Sequence, residues 1–154
     1  MAKEIERKFL VDMQKWNKSG KAIKMQQAYL VVEGDKVIRV RIADHQAFLT
    51  IKGNLKGITR DEFEYEIPVG DAIALMELRV GEIVSKTRFV ETIKGKIWET
   101  DVFEGENSGL VVAEIELESE DEIFEKPSWA LTEVSTDSRY YNFNLSRNPY
   151  SLWQ

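Results

Sequence analysis

The sequence contains no cysteine. Disulfides, thiolate nucleophiles and thiolate metal sites are therefore excluded, and a reducing, cytoplasmic setting is the expectation. Its one histidine, His45, cannot build a histidine-rich zinc site or complete a Ser-His-Asp triad. Metal chemistry would have to use oxygen ligands, which suit Mg²⁺ or Mn²⁺. No apolar run approaches membrane-spanning length, and the charged start (Lys3, Glu4) is unlike a secretory signal. Positive charge is in the minority, with 21 Lys and Arg against 27 Asp and Glu. The net charge of −6 argues against a general nucleic-acid binder. It leaves room for a local basic pocket, because a field depends on where the charges sit.

What the chain does have is alternation. Its 154 residues are 43% hydrophobic and 31% charged, which fits one globular domain over 1–154. The stretch Glu4-Ile5-Glu6-Arg7-Lys8 reads as a strand with Glu4, Glu6 and Lys8 on one face. Ile5, Phe9 and Val11 continue the other. The pattern recurs at Arg39 and Arg41, Thr50 and Lys52, Glu62 and Glu64, Lys86 and Arg88, Glu99 and Asp101, and Glu114 and Glu116. Strand after strand has one apolar and one charged face. Short helices are expected within 12–24, over 71–79 with Asp71 as cap, over 119–126 through a Ser119/Glu122 capping box, and over 138–146.

About eight strands at hairpin spacing imply a mainly antiparallel sheet. An open sheet would point its charges at water, as cross-strand ion pairs worth about 0.2–1 kcal/mol each. A closed barrel can turn them inward and cover its apolar outside with helices. Unpaired charges inside would each cost several kcal/mol. The barrel is tenable if acids hold metal ions and bases hold a polyanion. Basic doublets such as Arg39/Arg41 and Lys86/Arg88 gain nothing structurally from each other, but they suit phosphate oxygens.

These residues resemble the CYTH family, the triphosphate tunnel metalloenzymes. EIERKFLV is similar to the family's ExExK signature. Arg39-x-Arg41, Thr50-x-Lys52, Glu62-x-Glu64, Lys86-x-Arg88, Trp98-x-x-Asp101-x-Phe103, Glu114-x-Glu116 and the run from Glu133 to Tyr140 follow in order. The resemblance spans nearly the whole chain, and the short bacterial members look closest. It implies an α+β fold, an eight-stranded antiparallel β-barrel with short helices outside. It also implies Mg²⁺- or Mn²⁺-dependent hydrolysis of a small-molecule polyphosphate, inorganic tripolyphosphate first. Thiamine triphosphate, nucleoside triphosphates, ATP cyclisation and a non-catalytic polyphosphate-binding module are the rivals.

By the same resemblance, Glu4, Glu6, Glu62, Glu64, Asp101, Glu114 and Glu116 are the candidate metal-site carboxylates. Lys8, Arg39, Arg41, Lys52, Lys86 and Arg88 are the candidate phosphate clamps. Lys8 and Tyr29 are the catalytic candidates, Tyr29 as a partner of Lys8 in orienting water. Arg60 lies beside this set. Arg139 could reach the tunnel mouth or pair with Asp137. No nucleic-acid or membrane partner is expected.

Overall fold

A strand that is apolar on one face and charged on the other needs two different surroundings, and a closed barrel provides them. The computed structural model describes residues 2–153. Nine strands follow the chain: β1 (Lys3–Val11), β2 (Lys21–Glu33), β3 (Lys36–Ala43), β4 (Gln46–Lys56), β5 (Thr59–Ile67), β6 (Val80–Ile93), β7 (Lys96–Phe103), β8 (Val111–Glu116) and β9 (Ala130–Glu133). Their spatial order is β5-β4-β3-β2-β6-β7-β8-β1, and β1 returns to β5, so eight strands close on themselves. Every pairing is antiparallel, which is the architecture the alternation implied. The short β9 was not foreseen. It pairs with β1 from Phe9 to Val11, where β5 no longer does.

Register decides which charges meet, because a shift of one residue would turn every side chain to the other surface. Glu6 lies opposite Glu116 and Lys8 opposite Glu114. Lys52 lies opposite Glu62, Thr50 opposite Glu64, and Arg88 opposite Asp101. The charged parity faces inward throughout.

The apolar parity faces outward and is covered in patches. Phe9, Trp98, Ala113 and Ile115 pack with Trp16 and Trp129. Each large side chain buried there contributes about 1.5–3 kcal/mol. The helix α1 (Val69–Met76) lays Ala72 and Met76 over Ala28, Val40 and Ala47. Its cap is Pro68, and Asp71 lies one turn inside, correcting the expected cap.

Three helix expectations are corrected. Residues 13–15 form only a turn, because Trp16 alone is buried there while Met13 stays exposed, and no helical stripe exists to bury. Residues 122–127 form no regular element, with Phe124 against Phe9 and Trp98 and Ile123 left 94% exposed. Over 138–146, Tyr141 is extended (φ −67°, ψ 130°) and splits the segment into a 3₁₀ turn, Ser138–Tyr140, and a short helix α2, Asn142–Leu145. No described helix is long and apolar enough to cross a membrane.

Candidate active site in the barrel interior

The inward faces enclose a cavity of about 220 Å³. Thirteen of the fourteen site residues expected from sequence line it: Glu4, Glu6, Lys8, Tyr29, Arg39, Arg41, Lys52, Glu62, Glu64, Lys86, Arg88, Glu114 and Glu116; only Asp101 lies behind the wall. Acids and bases are interleaved. Lys52 Nζ sits 3.2 Å from both Glu4 and Glu62. Arg60 Nε donates to Glu4 Oε1 at 2.8 Å. Thr50 Oγ1 donates to Glu64 Oε2 at 2.8 Å, and Arg39 approaches the same oxygen at 3.4 Å. Arg88 reaches Glu99 at 3.3 Å and Glu114 at 3.6 Å.

Asp101 is 1% exposed. Its Oδ1 accepts from Arg88 Nε at 2.8 Å, while Oδ2 accepts from Arg88 at 3.0 Å and from Lys86 Nζ at 2.7 Å. Burial alone would raise its carboxyl, but Arg88 and Lys86 outweigh that and hold it low. Burial pushes Lys86 down to about 7 against the pull of Asp101, helped by Arg88 and Arg41.

Two carboxyl pairs are crowded. Burial, then Glu114 and Glu4, push Glu6 well above the ordinary range. Its partner Glu114 is held low despite burial by Lys8, by the contact with Glu6 and by Arg88. Glu4 and Glu62 form a similar pair, Glu4 held low by Lys52 and Arg60 against burial, and Glu62 raised by burial and by Glu4. Glu116 is raised by burial, Glu4 and Glu99. Like-charged oxygens this close retain a proton or need a cation. Across the cavity the imbalance reverses. Arg41 donates to the neutral Gln27 Oε1 at 3.0 Å, and among the described residues no carboxylate pairs with it. Burial, Arg39 and Arg88 push it down to about 9. Arg39 Nε is buried without a hydrogen-bond partner.

The carboxylate set therefore fits a hard divalent ion by the chemistry of its donors: all are oxygens, and three of the crowded acids, Glu6, Glu62 and Glu116, are raised despite the bases nearby. Among the described residues no three acids yet converge closely enough to hold an ion, because lysines and arginines stand between them.

Arg60, set beside the candidates by sequence, lines the cavity with the rest. Other contributors were not singled out from sequence. Ser135 Oγ accepts from the Lys8 backbone N–H at 2.9 Å and fixes that strand position. Residues 141–143 enter one end of the cavity. Gln27 Nε2 donates to Tyr29 Oη at 2.8 Å and to Asn142 Oδ1 at 3.1 Å. Of this network only Tyr29 was named from sequence as a site residue. Arg139 pairs with Asp137 at 2.7 Å and lies over Trp153, outside the cavity. Glu66, Glu118 and His45 are exposed.

An antiparallel barrel with interleaved acids and bases around one interior cavity defines a tunnel protein for small polyanions. The CYTH domain profile matches residues 2–148. The chain belongs to the CYTH family. An inorganic triphosphatase of Acetivibrio thermocellus is 45% identical over 151 residues, covering 97% of each chain. One from Nitrosomonas europaea is 36% identical over 147 residues, covering 93% of this chain and 96% of its own. A solved inorganic triphosphatase structure aligns with a TM-score of 0.68 at 34% identity, covering 95% of each chain.

Proposed function

We propose that the protein is a divalent-metal-dependent tripolyphosphatase that cleaves inorganic tripolyphosphate into pyrophosphate and phosphate. The observation that carries this reading is the split imbalance inside the barrel: crowded acids around Glu6 and Glu116, and an under-compensated cation at Arg41. The names of the two relatives and of the solved neighbour support the same substrate.

Lys8, Arg39, Arg41, Lys52, Lys86 and Arg88 would bind the non-bridging phosphate oxygens and offset the charge that develops during phosphoryl transfer. Arg60 joins them at the cavity wall. Glu4, Glu6, Glu62, Glu64, Glu114 and Glu116 would hold Mg²⁺ or Mn²⁺, some through water. Such an ion, when bound, supplies charge neutralisation and a more acidic bound water. Asp101 belongs to the same set by spacing but already serves Arg88 and Lys86 with both oxygens. Tyr29, its hydroxyl held by Gln27, and Lys8 would orient the attacking water.

The test is phosphate release from tripolyphosphate, ATP and thiamine triphosphate, with Mg²⁺, Mn²⁺ or excess chelator. Metal-dependent release with preference for tripolyphosphate is the expected result. Preference for an organic triphosphate would move the substrate assignment, and binding without turnover would make the barrel a polyphosphate-binding module.

A further inference from the structure

The two ends of the cavity differ. At one, Glu64 and Glu99 have side chains 40% and 36% exposed, and Leu55 and Gly57 of the β4–β5 hairpin form an exposed rim. At the other, Lys86 and Gln27 have no exposure and Tyr29 only 2%. What covers that end is residues 141–143. Phe143 meets Tyr29 edge-on with ring centroids 6.3 Å apart, and the Tyr141 ring lies 5.5 Å from Lys8 Nζ. Asn142 Oδ1 accepts from Lys86 Nζ at 3.0 Å and from Gln27 Nε2 at 3.1 Å.

This covering segment is firmly mounted. Leu145 is 1% exposed among Val84, Phe103, Leu110 and Val112. The Glu82 backbone N–H donates to Ser146 O at 2.8 Å. Gly81 has φ +74°, and a Cβ there would stand 2.8 Å from Ser146 O, so glycine allows the close approach.

We propose that residues 141–143 are the end wall of a blind tunnel, with Asn142 and Phe143 as specificity-determining side chains. The wall lets the site seat a chain's free terminal phosphate and refuse a chain esterified at both ends. The inference rests on the polyphosphate reading above and deepens it. The chemistry follows from what faces the wall. A terminal phosphate carries three non-bridging oxygens and about two negative charges near neutral pH, and an internal one carries fewer of each. Lys8 and Lys86 flank the wall, and the Asn142 amide oxygen holds the acceptor position on Lys86 that a phosphate oxygen can take. An ester group on the terminal phosphate would have to occupy the volume of Phe143 and Asn142. A substituent on the opposite end of the chain would leave past Leu55.

The test uses three ligands with equal phosphorus count: inorganic tripolyphosphate, adenosine triphosphate with one capped end, and diadenosine triphosphate with both ends capped. Binding to the metal-free protein is followed by calorimetry for wild type, Phe143→Ala and Asn142→Ala, with thermal melts to confirm folding. In wild type, diadenosine triphosphate should bind at least about tenfold more weakly than adenosine triphosphate. Either variant should narrow that ratio about tenfold by admitting the doubly capped ligand. Equal binding of the two nucleotides by wild type overturns the wall, as does a ratio unchanged in both folded variants. A retained ratio without turnover of any triphosphate would sink the hydrolase reading and leave the wall standing. Turnover of tripolyphosphate with no end preference would do the reverse. Absence of binding by all three ligands would overturn both.

Discussion

Asp101 grips Arg88 through two parallel hydrogen bonds, at 2.8 and 3.0 Å, from a position behind the cavity wall. A carboxylate so engaged fixes the plane of the guanidinium and has little capacity left for an ion. Asp101→Asn keeps the size but can no longer accept from both Arg88 nitrogens. We expect KM for tripolyphosphate to rise about tenfold, a loss of about 1.4 kcal/mol, while the metal concentration giving half-maximal rate stays put. A shift in metal requirement with KM unchanged would return Asp101 to the metal ligands. Steady-state kinetics at varied metal and varied substrate separate the two.

Glu6 sits among acids that disfavour its charge. Glu6→Gln should therefore stabilise the metal-free protein, by about 1 kcal/mol. The same change should cost turnover about a hundredfold or more, if this carboxylate serves the ion. Urea unfolding with chelator measures the first effect and phosphate release the second. Near-normal rates at saturating Mg²⁺ and Mn²⁺ would remove Glu6 from the metal site.

Outside the barrel, the Arg7 guanidinium donates to both oxygens of Glu133 and, with Ser135, holds this carboxyl below its ordinary value of 4.5. A carboxyl depressed in the folded state contributes stability above its unfolded pKa. That contribution is lost as pH falls through the folded value. Glu133→Gln should lower stability at pH 7 by about 0.5–1 kcal/mol, discounted for partial exposure. Wild type and variant should converge near pH 3. Equal stability at pH 7 would show that the pair contributes nothing.

Gly81→Ala places a methyl group against Ser146 and strains a positive φ. The expected cost is about 1–3 kcal/mol in thermal or urea unfolding. Activity on tripolyphosphate measured well below the melting temperature should also fall, because Ser146 carries the segment that ends in Asn142. An unaltered melting curve would mean that the turn relaxes freely.

Much of the barrel was readable from period two alone. The doublets Arg39/Arg41, Glu62/Glu64, Lys86/Arg88 and Glu114/Glu116 survive in sequence because neighbours two apart share a face in any strand. The pairings between strands were not readable, since Glu6 opposite Glu116 is a matter of long-range register. Asp101 has the right parity yet lies behind the wall, because parity reports a face and not a depth. Asn142 and Phe143 were hidden for a different reason. The apolar spacing of Tyr140, Phe143 and Leu145 suits a continuous helix, and only the extended backbone at Tyr141 turns Asn142 into the barrel. The exposed loop at 119–126 shows the opposite error. Its local capping signal was present, but Phe124 gained more by reaching Phe9 and Trp98 than a helical turn could offer.

Closure of the barrel has a consequence for how the protein folds. The strand bearing Glu4, Glu6 and Lys8 precedes all of its partners in the chain, and two of them, β8 and β9, begin only at Val111 and Ala130. The hairpins from β2 to β5 can form locally, within microseconds. Seating β1 must wait until the far end of the chain arrives, and that long loop closure delays the step. Substitutions that weaken the β1–β8 seam should therefore slow refolding most if that seam forms in the rate-limiting step. Until it forms, Glu6 and Lys8 lack the facing carboxylates of Glu116 and Glu114.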